Sequence, residues 1–266
     1  MVIVGEKINT SLKGVTEAVR ARDVEFVANL AKYQAECGAH YIDVNCGTLV
    51  DEEILALPWL VETVQLAVDL PCCIDSPDPK ALAAGIKIHK GRPLINSITN
   101  ENGRYKEVIP LLQESGGNII ALVIDDEHGM PGTADLRIKI GNDLVKRLNA
   151  DGIENGRIFI DPLVQPISSS PDKGVIVLDT IRGIAEANPA IHFMCGLSNI
   201  SYGLPQRKLL NATYLSLCIM AGLDCAILDP GNKKMTANIY AAEALLNKDE
   251  YCTEYLAAFR KGLLDA

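Results

Sequence analysis

Short apolar runs recur along the chain, separated by longer stretches whose apolar residues fall at helical spacing. The runs at 2–5, 41–45, 71–75, 93–96, 119–124, 158–161, 193–197 and 225–228 are predicted strands. Most are continuously apolar instead of alternating, the pattern of parallel strands covered on both faces. The stretches 24–37, 57–68, 79–90, 106–115, 135–149, 175–187, 205–221 and 235–246 are predicted helices, and 250–264 reads as an extra C-terminal one. Gly38, Gly91, Gly116 and Gly222 follow helical stretches, where a left-handed C-cap is needed. Strand and helix alternating eight times predict a (β/α)8 TIM barrel, one domain over residues 1–266. An open doubly wound sheet is the alternative. It lacks the G-x-G-x-x-G turn of a dinucleotide fold.

Composition narrows the classes of function. The 266 residues are 48% hydrophobic and 22% charged, enough to bury a core without disulfides or metals. The formal net charge is -9, and no basic run offsets it, so nucleic acid and anionic membranes are repelled. The N-terminus lacks a signal-peptide pattern. No apolar run reaches the roughly 18 residues of a membrane helix, and a cytoplasmic location is expected. The eight cysteines include no C-x-x-C pair, so reduced, mostly buried thiols are expected.

In such a barrel the chemistry sits at the C-terminal ends of the strands. Those ends read Gly5-Glu6-Lys7-Ile8-Asn9, Asp43-Val44-Asn45, Asp75-Ser76, Asn96-Ser97, Asp125-Asp126-Glu127, Asp161-Pro162, Gly196-Leu197-Ser198-Asn199 and Asp229-Pro230-Gly231. Asp and Asn dominate. Carboxylates accept hydrogen bonds and amides both accept and donate, which suits a flat neutral heterocycle with several N–H groups. A phosphate instead needs Gly-rich turns, helix N-termini and Arg or Lys. None of His40, His89, His128 and His192 falls at a predicted strand end, so no metal site is expected. Only Lys7 is near enough to serve as a Schiff-base lysine, and 5% aromatic residues give a glycosidase few sugar platforms. Asp126-Glu127-His128 starts like the D-x-H-x-x-G motif of cobalamin domains. Pro131 stands at its Gly position, so the segment reads as a turn and a corrinoid would have to come from elsewhere.

In this order, these stretches resemble the pterin-binding methyltransferases, above all the methyltetrahydrofolate:corrinoid protein methyltransferases. The folate-binding domain of cobalamin-dependent methionine synthase is a more distant likeness. The matching stretches are Gly5–Asn9, Asp43–Asn45, Asp75-Ser76, Ile95–Ser97, Asp161–Leu163 and Gly196–Asn199. The resemblance implies tetrahydrofolate or 5-methyltetrahydrofolate as substrate, a corrinoid (cobalamin) brought by a separate partner protein, no directly bound metal, and a homodimer. It implies that Asp75, Asn96 and Asp161 hold the pterin ring. It further implies that Asn199 is catalytic at N5, the methyl-bearing atom, and that Arg207 acts from the following helix. Ser198, Glu6, Asn9, Asp43 and Asn45 complete the expected pterin-binding set. Tyr202 departs from the family pattern, standing where the resemblance implies a polar amide.

The residues keep structural alternatives open. Asp75 is also placed to cap the next helix, and Ser198 and Asn199 to cap the helix after strand seven. Asp161 is also placed to shape a turn before proline, and Arg207 to pair with a surface carboxylate. Two rival functions remain at this level: a dihydropteroate synthase-like pterin enzyme and a non-catalytic folate-binding subunit. Against the first, the loop reads Ser198-Asn199-Ile200-Ser201 and no histidine follows His192. The direction of methyl transfer is not set by sequence.

Overall fold

The structure, a computed structural model, describes residues 1–265. Eight parallel strands close a barrel in chain order. They are β1 (Val2–Asn9), β2 (Tyr41–Asn45), β3 (Cys72–Asp75), β4 (Leu94–Thr99), β5 (Asn118–Leu122), β6 (Ile158–Asp161), β7 (His192–Gly196) and β8 (Cys225–Leu228). Ten α-helices accompany them among the described residues: α1 (Val15–Arg20), α2 (Val24–Glu36), α3 (Glu53–Ala67), α4 (Pro79–Ile88), α5 (Asn102–Ser115), α6 (Ala134–Ala150), α7 (Lys173–Ala187), α8 (Arg207–Ala221), α9 (Lys233–Leu245) and α10 (Thr253–Arg260). The barrel is the fold the alternation predicts.

Successive strand residues point to opposite faces, and here both faces are dry. Ile42, Val44, Ile74, Ile95, Ile119, Ile160 and Cys195 pack outward against the helices in one large core. Val4, Cys73, Leu94, Ile120, Phe159, Met194 and Cys225 form a second cluster, one from each strand but β2, with Tyr41 of β2 packed against it. This second cluster fills the lumen, as in other closed barrels of eight strands. Burial on both faces explains why the strands read as unbroken apolar runs.

Several boundaries differ from the expected ones. β1 extends to Asn9, four residues past the apolar run, because Ile8 and Asn9 still pair with Val44 and Asn45 beyond a register shift. The six-residue helix α1 is too short to show a period and was not expected. α3 starts a turn before Pro58 and α5 a turn before the expected 106. The C-terminal helix is shorter than expected, covering Thr253–Arg260. The segment after Asp125 is a tight turn: His128 N donates to Asp125 Oδ1 at 2.7 Å, and Asp125 and Gly129 form a bridge. Cys46, Cys72, Cys73, Cys195, Cys218 and Cys225 are buried free thiols, Cys37 is half-buried, and Cys252 is exposed. Among the described residues, no helix is long and apolar enough to cross a membrane.

Gly117 shows how closely the strands approach at the end of the barrel away from those polar residues. A methyl group there would stand 2.7 Å from the carbonyl oxygen of Pro93. That oxygen cannot retreat freely, since it accepts from Asn118 N at 2.8 Å and so joins β4 to β5. Gly117→Ala is therefore expected to destabilise the protein by about 1–3 kcal/mol. Denaturant unfolding measures this, with ligand affinity at the opposite end unchanged.

Candidate active site

The polar residues at the strand ends form the uppermost layer of the lumen, and the period of two puts them there. Two positions beyond Val4, Cys73, Leu94, Phe159 and Met194 stand Glu6, Asp75, Asn96, Asp161 and Gly196. Register then levels them. Asn9 pairs with Asn45, Asn45 with Asp75, and Asp75 with Asn96, so four candidates make one row across β1 to β4. Asp43 pairs with Cys73 and lies one layer deeper, where it is 2% exposed.

A cavity of about 640 Å³ opens above this layer. Seven candidates line it: Glu6, Asn9, Asp43, Asp75, Ser198, Asn199 and Arg207. Asn96 lines an adjoining hollow of about 370 Å³ that shares Asp75. Asn45 lines neither; its Nδ2 donates to Asp75 Oδ2 at 2.6 Å, fixing that carboxylate from the side. Asp161 also lies outside both linings, on β6, four strands around the barrel from β2. Its Oδ1 accepts from Leu163 N at 2.7 Å.

Burial dominates the electrostatics. It pushes the Asp75 carboxyl up to about 6, partly offset by the Asn45 hydrogen bond. Asp161 is likewise pushed up to about 6, with Leu163 N and Arg137 opposing. Asp43 is raised well above the usual carboxylate range by burial and by the neighbouring Asp75. Its Oδ1 is buried without a hydrogen-bond partner among the described residues. Glu6 is raised by burial and then by Asp229. Lys7, the lysine nearest a strand end, is engaged by Asp229 at 2.8 Å and its pKa is raised by that bond.

The segment after β7 is a short 3-10 turn, Leu197–Ser201, held from the following helix. Arg207 Nη2 donates to the Ser198 carbonyl at 2.7 Å and Nε to Ser201 Oγ at 3.0 Å. Asn211 Nδ2 donates to Ser198 Oγ at 3.2 Å. The Asn199 side chain makes no hydrogen bond among the described residues and lines the cavity. α8 begins at Arg207 with Gln206 at its N-cap, so Ser198 and Asn199 do not cap it. Nor does Asp75 cap α4; Asp78 does, accepting from Lys80 N. Asn9, in contrast, has a local task, accepting from Ser11 N at 2.8 Å.

Sequence reasoning missed Ser11, Leu12, Lys208, Asn211 and Ile227 in the lining. Asn211 follows Arg207 by four residues on α8, so helical spacing from Arg207 pointed to it. Ile227 stands two beyond the lumen residue Cys225. Tyr202 is exposed, with its backbone carbonyl accepting from Ser168 Oγ.

The sequence pattern of the family described as pterin binding enzyme matches residues 5–229. The chain is 37% identical over 264 residues to the methylcorrinoid:tetrahydrofolate methyltransferase of Eubacterium limosum, covering 98% of this chain and 97% of that protein. It is 31% identical over 241 residues to the methionine synthase of Mycobacterium tuberculosis, 86% of this chain but 20% of that longer protein. A dihydropteroate synthase from Xanthomonas albilineans, solved with 7,8-dihydropteroate, shares the fold with a TM-score of 0.69. That likeness covers 92% of this chain and 93% of the other at 19% identity. A lumen capped by Asp and Asn, and a family match over nearly the whole barrel, lead to one conclusion: the chain belongs to the pterin-binding enzymes.

Proposed function

We propose that this enzyme moves a methyl group between N5 of tetrahydrofolate and the cobalt of a corrinoid carried on a separate protein. The observation that carries the reading is the lumen's polar top layer beside an Asn199 amide left free to meet a ligand. The relative from Eubacterium limosum, alike from end to end, supports the same reaction. In this reading the chain is a cytoplasmic homodimer, and its partner docks over the open mouth of the barrel.

The roles follow from the chemistry of the groups. Asp75 and Asp161 accept N–H bonds from the pterin, and Asn96 both donates and accepts. Glu6, Asn9, Asp43 and Asn45 shape and orient this layer. Ser198 and Arg207 hold the turn that carries Asn199. The corrinoid cobalt supplies or accepts the methyl group. As the carbon–nitrogen bond breaks and the cobalt–carbon bond forms, the electron pair stays on N5, where negative charge grows until a proton from solvent completes tetrahydrofolate. The Asn199 amide donates a hydrogen bond that strengthens with that charge. In the reverse direction, the N5 lone pair forms the new bond to carbon, the cobalt keeps the electron pair of the broken cobalt–carbon bond, and N5 releases its proton to solvent.

The reading rests first on a direct assay. Purified protein with 5-methyltetrahydrofolate and free cob(I)alamin is expected to form methylcobalamin, and tetrahydrofolate with methylcobalamin to undergo the reverse. Corrinoid absorbance follows both. Folate binding without transfer in either direction would leave a non-catalytic folate-binding subunit.

The carboxylates make binding depend on pH. A carboxyl group accepts pterin N–H groups at both oxygens, and most strongly, when ionised, and burial pushes both Asp75 and Asp161 up to about 6. Tetrahydrofolate affinity is expected to hold above that value and fall as pH drops through it. Asp75→Ala and Asp161→Ala are each expected to weaken binding about ten- to a hundredfold at pH 7.5, from roughly 1.5–3 kcal/mol for a hydrogen bond to a charged group. Calorimetry across pH tests both; normal binding by both variants would refute this map of the site.

Asn199 acts mainly in the transition state. Asn199→Ala is expected to fold normally, bind tetrahydrofolate within about an order of magnitude of wild type, and transfer methyl on the order of 10²–10³ more slowly. Single-turnover rates beside a melting curve distinguish this from a purely structural asparagine, whose loss would lower the melting point and spare the rate.

A further inference from the structure

Two arginines stand behind the strand-end aspartates, and neither pairs with a carboxylate among the described residues. Arg137, on α6, is fully buried. Its Nε donates to the Pro131 carbonyl at 3.0 Å. Its Nη1 donates to the carbonyls of Pro162 at 2.7 Å and Leu163 at 2.8 Å, and its Nη2 to Gln165 Oε1 at 3.0 Å. Arg104, on α5, repeats the arrangement two strands earlier. It donates to the carbonyls of Ser97 at 3.0 Å, Pro77 at 2.7 Å and Ser76 at 2.8 Å.

The acceptors share a position in the fold. Ser76 and Pro77 directly follow Asp75, and Ser97 follows Asn96. Pro162 and Leu163 directly follow Asp161. Each guanidinium therefore ties together the chain leaving two neighbouring strands, just past a residue proposed to hold the pterin. The planar fork of arginine suits this, since several donors in fixed directions meet several carbonyls at once.

Carbonyl oxygens satisfy the donors without neutralising the charge. Burying a cation in this way, fully for Arg137 and in part for Arg104, is unfavourable, and the fold gains by placing an anion nearby. For Arg137 the facing groups are Asp161 first, then Tyr214 of α8 and Asp172 before α7. For Arg104 they are Glu107 on its own helix, then Asp75, Asp78 and Glu101. Viewed from the aspartates, Asp161 has Arg137 and the Leu163 amide, and the Cys195 thiol of β7 lies within its field. Asp75 has Asn45, Glu53 and Arg104, with Asp43 beneath it. Glu53 opposes ionisation of Asp75, and Arg104 is its one cationic neighbour among these groups.

We propose that Arg104 and Arg137 are positioning residues, each fixing the chain just beyond one pterin-binding aspartate and holding that aspartate in the ionised form that accepts pterin N–H groups. The inference rests on the reading that Asp75 and Asp161 bind the pterin.

The test is calorimetric titration of the full chain with tetrahydrofolate between pH 5.5 and 8.5, with melting curves on every variant. Removing a facing positive charge raises a carboxyl's midpoint, by up to about one pH unit for a near neighbour. With midpoints starting at about 6, Arg137→Gln and Arg104→Gln are therefore expected to bind about threefold more weakly at pH 6.5 and to recover most of that loss by pH 8.5. Arg137→Lys and Arg104→Lys keep the charge and lose the fork. They are expected to melt lower and yet keep the wild-type pH midpoint. A merely structural clamp predicts lower melting for all four variants and no movement of the midpoint, and that result overturns the proposal. If one glutamine variant fails to fold, the other arginine tests the same claim. If both fail, the lysine variants decide it, since a displaced midpoint in them overturns it. Asp75→Asn and Asp161→Asn separate the two levels. If both bind as wild type at every pH, the pterin reading itself is wrong and the proposal falls with it. If they lose affinity while the arginine variants keep the wild-type midpoint, only the role of the arginines is wrong.

Discussion

A closed barrel of eight strands has an interior only wide enough for side chains, and one face of every strand must fill it. Here apolar residues fill the lower part, and the polar layer above has nowhere else to point. Its carboxyl groups are drawn out of water by the strands that carry them. Desolvation disfavours the charged form, so Asp43, Asp75 and Asp161 all ionise less readily than in solution. The ligand site is thus the place where the packing rule of the barrel and the solvation of carboxylates conflict.

The protein resolves that conflict with hydrogen bonds in some places and leaves it open in others. Asn45 and the Leu163 amide each give one bond to an aspartate. Glu6 has Lys7 close by, but that lysine is held by Asp229. Asp43 keeps a bare oxygen at the floor of the cavity. A buried acceptor without a partner favours whatever donor arrives. A heterocycle bearing N–H groups therefore replaces missing interactions when it binds, and this favours it over an apolar ring of similar shape.

Much of this was legible in the sequence. The strand-end residues were found because apolar runs end abruptly in Asp or Asn, and a barrel gives those ends one shared location. What resisted reading depends on contacts far apart in the chain. Arg104 and Arg137 look like ordinary polar positions on helices, and nothing local shows that carbonyls of other loops converge on them. Lys208 lines the cavity from the first turn of α8, after a left-handed Gln206 that propensity does not foretell. The bond from Asn45 to Asp75, between neighbouring strands, is likewise set by a register that the residue types alone do not show.

Closure has a consequence in time. Val2 pairs with Cys225 and Gly5 with Leu228, so the first strand finds its second neighbour only after more than 220 intervening residues. Contacts of such long sequence separation form late and slowly. On a ribosome, β1 emerges first and waits with one edge bare until β8 has left the exit tunnel. The lumen is open until then, and so is the layer that includes Glu6 and Ile227. The ligand cavity thus comes into being with the last strand, and no shorter nascent chain can present it.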